Sequence, residues 1–278
     1  MPISLTAIEL RAFDGCTSLE IANLSLPNLE TLESRAFDGV KITKISNLGK
    51  ITAINSSNQD CANLGDKSVL KEIILPNTIK TIGNYTFKGY KALETITIET
   101  GASGISVGNS AFGGLSSLVN FNVDLAAFVS LGFEAFRDIT IWDEVTFPNV
   151  TTINSRAFIG SSVSKIKLPS VETMPDASNY EGIFSYCPNL VLVDIGANCT
   201  SIGWQSLGRY IGNSSNNITI IIRAITPPSL GGPLMGTDGN HATIGKVYVP
   251  DNSVDAYKAA TNWSTYADRI KPLSEYVE

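Results

Sequence analysis

The chain has 278 residues, of which 43% are hydrophobic and 17% are charged, so it can bury enough apolar surface to fold, and this excludes a disordered chain. Its formal net charge is −6, and its 20 Lys and Arg are scattered among 26 Asp and Glu without a basic run. That distribution excludes a surface built for nucleic acid or anionic lipid. No stretch approaches the roughly 20 apolar residues that cross a bilayer, so we expect no membrane-spanning segment.

Ten short strands are predicted from one recurring pattern: an apolar residue, two others, an apolar residue, one other, and an apolar residue. The last two apolar positions alternate as in a strand with one buried face, and β-branched and aromatic residues dominate them. In chain order the copies are Ile21/Leu24/Leu26, Ile42/Ile45, Leu70/Ile73/Leu75, Leu93/Ile96/Ile98, Leu118/Phe121/Val123, Trp142/Val145/Phe147, Val163/Ile166/Leu168, Leu190/Val193/Ile195, Ile220/Ile222 and Ile244/Val247/Val249. Proline, which cannot donate to a sheet ladder, follows several of them and is predicted to end those strands.

A second marker, Ala-Phe or a close variant, shares the period of the strands. Its apolar residues are Phe13, Phe37, Phe87, Phe112, Phe136, Phe158, Phe184 and the weaker Leu207, at intervals of 24, 50, 25, 24, 22, 26 and 23 residues. The interval of 50 is two periods, and Leu64 lies near the missing copy. Another apolar residue stands five positions before the phenylalanine, as at Ile82 and Val107. Each repeat therefore predicts a strand, a turn, a second apolar edge and a tight turn that carries the phenylalanine.

One such unit cannot bury its apolar side chains alone, whereas stacked units form a continuous core. We therefore predict a leucine-rich-repeat solenoid of about ten irregular repeats over residues 1–250. A parallel β-sheet is expected on one face, with irregular turns and short 3-10 or helical segments on the other. Residues 251–278 are predicted to form a C-terminal cap of the same domain, with Ser253 as the N-cap of a short helix whose apolar side carries Val254, Tyr257 and Ala260. Trp263 and Tyr266 could continue that side.

Two segments carry a family resemblance. Residues 75–87, Leu-Pro-Asn-Thr-Ile-Lys-Thr-Ile-Gly-Asn-Tyr-Thr-Phe, and residues 8–19, with Ala-Phe-x-x-Cys-x-x-Leu, resemble the BspA-like family of bacterial leucine-rich repeats. The ending from Lys246 to Ala260 is similar to that of many such proteins. The resemblance implies an exported protein at the bacterial surface, and roles in adhesion to host matrix proteins or other cells. Because the chain opens partway into a repeat at Ile3–Ile8, with no basic and apolar leader, we expect Met1 to begin a trimmed portion of a secreted or surface protein.

No residue pattern predicts catalysis or metal binding. His241, the only histidine, lies in a Gly-rich loop and is interpreted as an ordinary loop residue; Asp143-Glu144 is the tightest carboxylate pair near a strand, without a cleft motif. No calcium loop or C-x-x-C occurs, so Cys16, Cys61, Cys187 and Cys199 are interpreted as buried small hydrophobes, with a disulfide as the alternative. We accordingly predict no enzyme and no cofactor.

The remaining candidate is the sheet surface, where one exposed residue is predicted between the last two buried positions of each strand. These residues are Ser25, Ile74, Thr97, Asn122, Thr146, Lys167, Asp194, Ile221 and Tyr248; a second row includes Glu72, Thr95, Asn120, Glu144, Lys165 and Lys246. As binding residues we predict Thr97, Asn122, Thr146, Lys167, Asp194 and Tyr248. The leading hypothesis is a monomeric recognition or adhesion module for a surface protein or glycan of the host or of bacteria. The alternative is a structural spacer, or an accessory domain of a larger secreted carbohydrate-processing or other enzyme.

Overall fold

A computed structural model describes residues 4–55, 64–212, 217–236 and 243–277 of the chain. The chain divides into two compact units, Met1–Ile141 and Trp142–Glu278. Each unit is a stack of coils in which successive coils pair through parallel strands. A typical coil supplies one strand to a first, longer ladder and a strand of mostly two residues to a second ladder.

The first unit holds eleven strands among its described residues. They are β1 (Ala7–Ile8), β2 (Glu20–Ser25), β3 (Thr31–Leu32), β4 (Lys41–Asn47), β5 (Ala53–Ile54), β6 (Glu72–Leu75), β7 (Thr81–Ile82), β8 (Thr95–Ile98), β9 (Ile105–Val107), β10 (Asn120–Asn122) and β11 (Phe128–Leu131). The first ladder runs β2-β4-β6-β8-β10, and the second edge contains the pair β1-β3 and the run β5-β7-β9-β11. A 3-10 helix at Leu125–Ala127 precedes β11, and Asp124 caps it by accepting a hydrogen bond from the amide of Ala126.

The second unit repeats this plan and ends in the C-terminal segment. Its strands are β12 (Glu144–Thr146), β13 (Thr152–Ile153), β14 (Lys165–Leu168), β15 (Thr173–Met174), β16 (Leu192–Ile195), β17 (Ser201–Ile202), β18 (Ile218–Ile222), β19 (Ser229–Leu230), β20 (Ile244–Val249) and β21 (Ile270–Pro272). The first ladder runs β12-β14-β16-β18-β20-β21 and the second β13-β15-β17-β19. The helix α1 (Val254–Ala259) and 3-10 helices at Asp251–Ser253, Trp263–Tyr266 and Leu273–Glu275 complete the segment.

The ten predicted strands are all present, and their apolar positions align from coil to coil. Ile73 pairs with Ile96, and Val193 lies between Ile166 and Ile220 in the register of the second unit. The middle and last apolar residues of nearly every copy are buried, as predicted. Phe121 and Val123 of the β10 copy are only half-buried. The second edge is more regular than the irregular turns and 3-10 segments expected there, because its apolar residues also pair in a parallel ladder.

The phenylalanine turn has a fixed backbone conformation. The residue two before the phenylalanine or leucine has a positive φ at Arg11, Arg35, Tyr85, Ser110, Glu134, Arg156 and Gln205, and the residue two after it does so at Gly15, Gly39, Gly89, Gly114, Asp138, Gly160 and Tyr186. In most of these turns the amide of the phenylalanine or leucine donates to the next coil. The amide of Phe112, for example, donates to the carbonyl of Ala135 at 2.9 Å.

The phenylalanine rings form stacks inside each unit. In the first unit Phe112 lies between Phe87 and Phe136, with ring centroids 5.4 and 5.1 Å away, and in the second unit Phe158 stacks on Phe184 at 5.8 Å. All five of these rings are fully buried. Phe13 is only half-buried, because within the described residues it stacks on Phe37 alone. The predicted burial is therefore confirmed at Phe37, Phe87, Phe112, Phe136 and Phe158 and is wrong at Phe13.

The C-terminal segment packs through aromatic side chains that also form hydrogen bonds. The hydroxyl of Tyr257 donates to the carbonyl of Ala224 at 2.8 Å, and the indole nitrogen of Trp263 donates to that of Pro228 at 2.7 Å. Burial raises the pKa of Tyr257 well above its usual range. Ser253, predicted as the N-cap of α1, is buried and its side chain makes no capping hydrogen bond.

The described cysteines are free thiols in two environments. Cys187 and Cys199 are buried, as predicted, whereas Cys16 is exposed and that prediction is wrong there, because its turn is part of the first coil. Cys61 lies outside the described residues. Burial raises the pKa of Cys199 to about 11.

The stack predicts a large loss of stability when Phe112 is replaced by Ala. Deleting a fully buried phenylalanine leaves a cavity, and we expect the free energy of unfolding to fall by about 3–5 kcal/mol in urea denaturation. Phe13→Ala is the matched control and should cost less, because that ring is half-buried. A loss below about 1 kcal/mol for Phe112→Ala would contradict the buried stack.

The exposure of each thiol predicts how fast it reacts with a disulfide reagent at pH 8. The reaction is measured in the Cys61→Ser variant, so that only Cys16, Cys187 and Cys199 contribute. A pKa about three units above the buffer leaves roughly one part in a thousand of Cys199 as thiolate, and burial blocks access to Cys187 as well. We expect one fast thiol, removed by Cys16→Ser, and two that react only after denaturation. Three thiols reacting at one rate in the native protein would show that the buried sites are open.

Candidate recognition surfaces

The predicted binding residues of the first unit stand on adjacent strands of its first ladder. Asn122 is in register with Thr97, and the amide nitrogen of Asn122 donates to the hydroxyl of Thr97 at 3.3 Å. The neighbouring pair repeats the contact, since Asn120 donates to Thr95 at 3.2 Å. Asn122 is exposed and Thr97 half-buried, so this face presents a neutral polar strip whose side chains already hold one another in place.

The corresponding face of the second unit is charged. Thr146 is exposed and in register with the half-buried Lys167, whose ammonium lies 3.0 Å from a carboxylate oxygen of Glu144. Lys165 approaches the same carboxylate at 3.8 Å. The hydrogen bond and positive charge of Lys167 lower the pKa of Glu144, so this carboxylate stays ionised under neutral conditions.

The prediction of exposure is wrong for Asp194, Ile221 and Tyr248. Asp194 and Tyr248 are each 5% exposed and Ile221 is 1% exposed. Leu273 and Tyr276 of the C-terminal segment pack over Ile221 and Tyr248. The ring of Tyr276 meets that of Tyr248 edge-on at 5.1 Å.

Asp194 is further occupied by Arg223. The two oxygens of its carboxylate accept hydrogen bonds from the guanidinium at 2.8 and 2.7 Å, and this pairing raises the pKa of Arg223. Bidentate pairs of this kind fix both side chains. Asp194 and Tyr248 are therefore buried, unlike the exposed positions predicted for them.

The residues considered for catalysis do not assemble into a site within the described chain. His241 lies outside the described residues, and Asp143 and Glu144 are both exposed on the edge of the sheet. Over residues 4–55, 64–212, 217–236 and 243–277, no group of three His, Cys, Asp or Glu side chains could hold a metal ion. In the same ranges no helix is long and apolar enough to cross a membrane.

Sequence reasoning missed a cluster of aromatic side chains around Arg209 in the second unit. The rings of Tyr180 and Trp204 meet edge-on at 5.4 Å, and those of Tyr186 and Tyr210 stack at 5.0 Å. The guanidinium of Arg209 joins the pairs, since it lies 5.9 Å from the ring of Tyr180 and 4.9 Å from that of Tyr210. Tyr180 is 60% exposed and Tyr186 is 43% exposed. These five residues are called the aromatic cluster below.

All three tyrosines of the cluster have a positive φ, a backbone conformation that favours glycine, and at Tyr210 it is 56°. Tyr186 has a φ of 61° at the place that glycine fills in five other phenylalanine turns. Tyr180 has a φ of 65° and, with Asn179, forms the two central residues of a tight turn closed by the antiparallel bridge between Ser178 and Glu181. Two central residues with positive φ favour Asn-Gly, so a tyrosine in the second place is unusual. A bulky residue in this conformation costs about 1–2 kcal/mol.

The polar groups beneath the cluster are incompletely paired. Among the described residues the Nε of Arg209 has no hydrogen-bond partner, and its Nη2 lies 4.0 Å from the nearest oxygen of Glu181. Glu181 instead forms a close ion pair with Arg156. The side-chain oxygen of Gln205 is also buried without a partner.

Comparison with known proteins identifies the repeats. The sequence profile for the BspA type Leucine rich repeat region matches in six copies over residues 1–66, 66–180 and 105–224. A leucine-rich repeat protein from Bacteroides ovatus, known from a crystal structure, is 14% identical to the chain, with 96% of this chain and 87% of that one covered at a TM-score of 0.31. No curated protein matches the sequence. The match of the repeat profile extends over most of the chain, which therefore belongs to the BspA-type leucine-rich repeat family.

Proposed function

We propose that the protein is a non-catalytic recognition module, secreted or held at a bacterial cell surface, that binds a protein or glycan through its sheet faces. The observation that carries the proposal is the registered polar strip in each unit: Thr97 and Asn122 in the first, Thr146 and Lys167 in the second. Parallel strands lie about 4.8 Å apart, so an extended partner that follows such a strip can touch several side chains at once. Membership of the BspA-type family supports an interaction role.

The alternative is a spacer or accessory domain of a larger secreted enzyme, and it has an observation in its favour. Side chains on both faces satisfy one another, as in the pairs Asn122 with Thr97 and Lys167 with Glu144. A ligand would have to replace these bonds, and each exposed pair stabilises the fold by no more than about 1 kcal/mol. A spacer needs only a stable surface, and side chains that pair with one another provide it.

Paired substitutions on each face test the recognition role. The chain is first applied to an array of host matrix proteins and glycans, and binding is then measured for Thr97→Ala with Asn122→Ala and for Thr146→Ala with Lys167→Ala. We expect at least one double variant to weaken binding about tenfold or more, equivalent to about 1.4 kcal/mol, because interface energy concentrates in few residues.

The matched control is Lys258→Ala with Ser264→Ala, which removes one lysine and one hydroxyl from exposed positions of the C-terminal segment. This control should bind as the parent chain does. Binding that survives both sheet-face variants would move the site off the sheets. Absence of any ligand on the array would favour the spacer.

A further inference from the structure

We propose that the aromatic cluster is a second binding site, on the phenylalanine-turn side of the second unit, and that it takes a neutral hexopyranose unit of an oligosaccharide. The site is separate from the sheet faces, so its failure leaves the sheet-face proposal standing. Three features of the cluster carry the inference: the exposure of its rings, the backbone positions that they occupy, and the polar groups between them.

The rings form one continuous strip. Trp204, Tyr180, Arg209, Tyr210 and Tyr186 follow one another in contact, with successive separations of 5.4, 5.9, 4.9 and 5.0 Å. The largest exposures are at Tyr180 and Tyr186, near opposite ends of the strip. The flat face of a pyranose carries several C–H bonds, which pack favourably on the negative face of an aromatic ring, and Tyr180 and Tyr186 are the rings exposed enough to make this contact.

Tyr180 and Tyr186 do not stabilise the backbone conformation at their positions. Glycine would be free of strain at Tyr186 and Tyr180, and glycine is what the phenylalanine turn carries at the equivalent of Tyr186 in the coils of Phe13, Phe37, Phe87, Phe112 and Phe158. Tyrosine costs more than glycine in a left-handed position, and because these two side chains are largely exposed, burial offsets little of that cost. Strain of this kind is concentrated at functional sites.

The polar groups of the strip suit a partner that carries hydroxyl groups better than they suit an apolar partner. The guanidinium of Arg209, whose side chain is 33% exposed, offers donors; Glu181 lies 4.0 Å from it, and Asp176 provides an acceptor at Trp204. Sugar hydroxyls both donate and accept, so they can use both kinds of group. With Arg156, which pairs with Glu181, the guanidinium groups of this region equal in number the carboxylates of Glu181 and Asp176, and this charge balance favours an uncharged sugar over one that carries a carboxylate.

Close packing beneath the strip keeps its shape. A Cβ on Gly232 would lie 2.6 Å from a ring carbon of Trp204, so a larger residue at that position would have to displace the indole. The amide of Trp204 is also held by Asp176 at 2.6 Å. A platform that is rigid before binding loses little entropy when a sugar settles on it.

The test begins with an array that carries oligosaccharides of neutral hexopyranoses, uronic-acid oligosaccharides and decaproline. The parent chain is expected to bind at least one neutral oligosaccharide and to bind the acidic sugars and decaproline more weakly. Titration of the neutral oligosaccharide that gives the strongest signal is then repeated on variants. We expect Tyr180→Gly and Tyr186→Gly each to weaken binding about tenfold or more, and Tyr180→Phe to bind within about threefold of the parent, because the ring face makes the contact.

Thermal stability separates a binding role from a structural one. Because glycine relieves the backbone at both positions, Tyr180→Gly and Tyr186→Gly should melt within about 3 °C of the parent chain or above it while losing the sugar. Tyr85→Ala, at another left-handed position in the first unit, is the matched control and should bind normally.

Four results would overturn the proposal. The first is that the parent chain binds no neutral sugar, and the second is that it binds uronic acids or decaproline more strongly than neutral sugars. The third is that both glycine variants bind the neutral oligosaccharide with the affinity of the parent chain. The fourth is that Tyr180→Phe loses as much binding as Tyr180→Gly.

Discussion

The structure depends on parallel backbone hydrogen bonds between equivalent residues of successive coils. Within each unit these bonds occur at three places in a coil: the first ladder, the second ladder and the phenylalanine turn. Since backbone groups form them, the side chains that point outward are free to vary, while those that point inward must be apolar. The turn adds a feature of its own, since most copies carry a left-handed residue on each side of the phenylalanine. The outward side chains can therefore serve recognition, because the hydrogen bonds between coils do not depend on them.

Much of this scaffold could be predicted from the sequence because it repeats. Ten copies of one apolar pattern located the strands of the first ladder, and the phenylalanine marker located the stacked rings. The regular second ladder was harder to predict, since two-residue strands leave almost no alternation to detect. The covering of Ile221 and Tyr248 could not be predicted, because the segment that covers them lies outside the repeats and returns to the sheet over a long sequence distance. The exposed Cys16 shows the same limit, since a repeat pattern does not indicate how a terminal coil is packed.

The candidate surfaces also differ in how far they could be predicted from the sequence. Thr97, Asn122, Thr146 and Lys167 follow from the alternation of a half-buried strand, although their pairing with neighbours across the rungs was not visible in the sequence. The aromatic cluster was missed because a search for catalytic and metal-binding patterns does not compare the residues at equivalent turn positions, where most copies carry glycine. The signal was present, since Phe184-Ser185-Tyr186 stands where five other copies have Phe-x-Gly. In a repeat protein, a departure from the consensus that costs stability is a direct indication of a site.

Amide hydrogen exchange tests the three-ladder account most directly. In the first unit the amide of Thr95 donates to Lys71 in the first ladder, that of Gly108 to Ile82 in the second, and that of Phe112 to Ala135 in the turn. If the three ladders form one cooperative structure, these three amides exchange slowly, at similar rates and with the same dependence on denaturant. Rapid exchange at Gly108 or Phe112, with Thr95 still protected, would show that the second edge or the turn opens independently and would contradict the account.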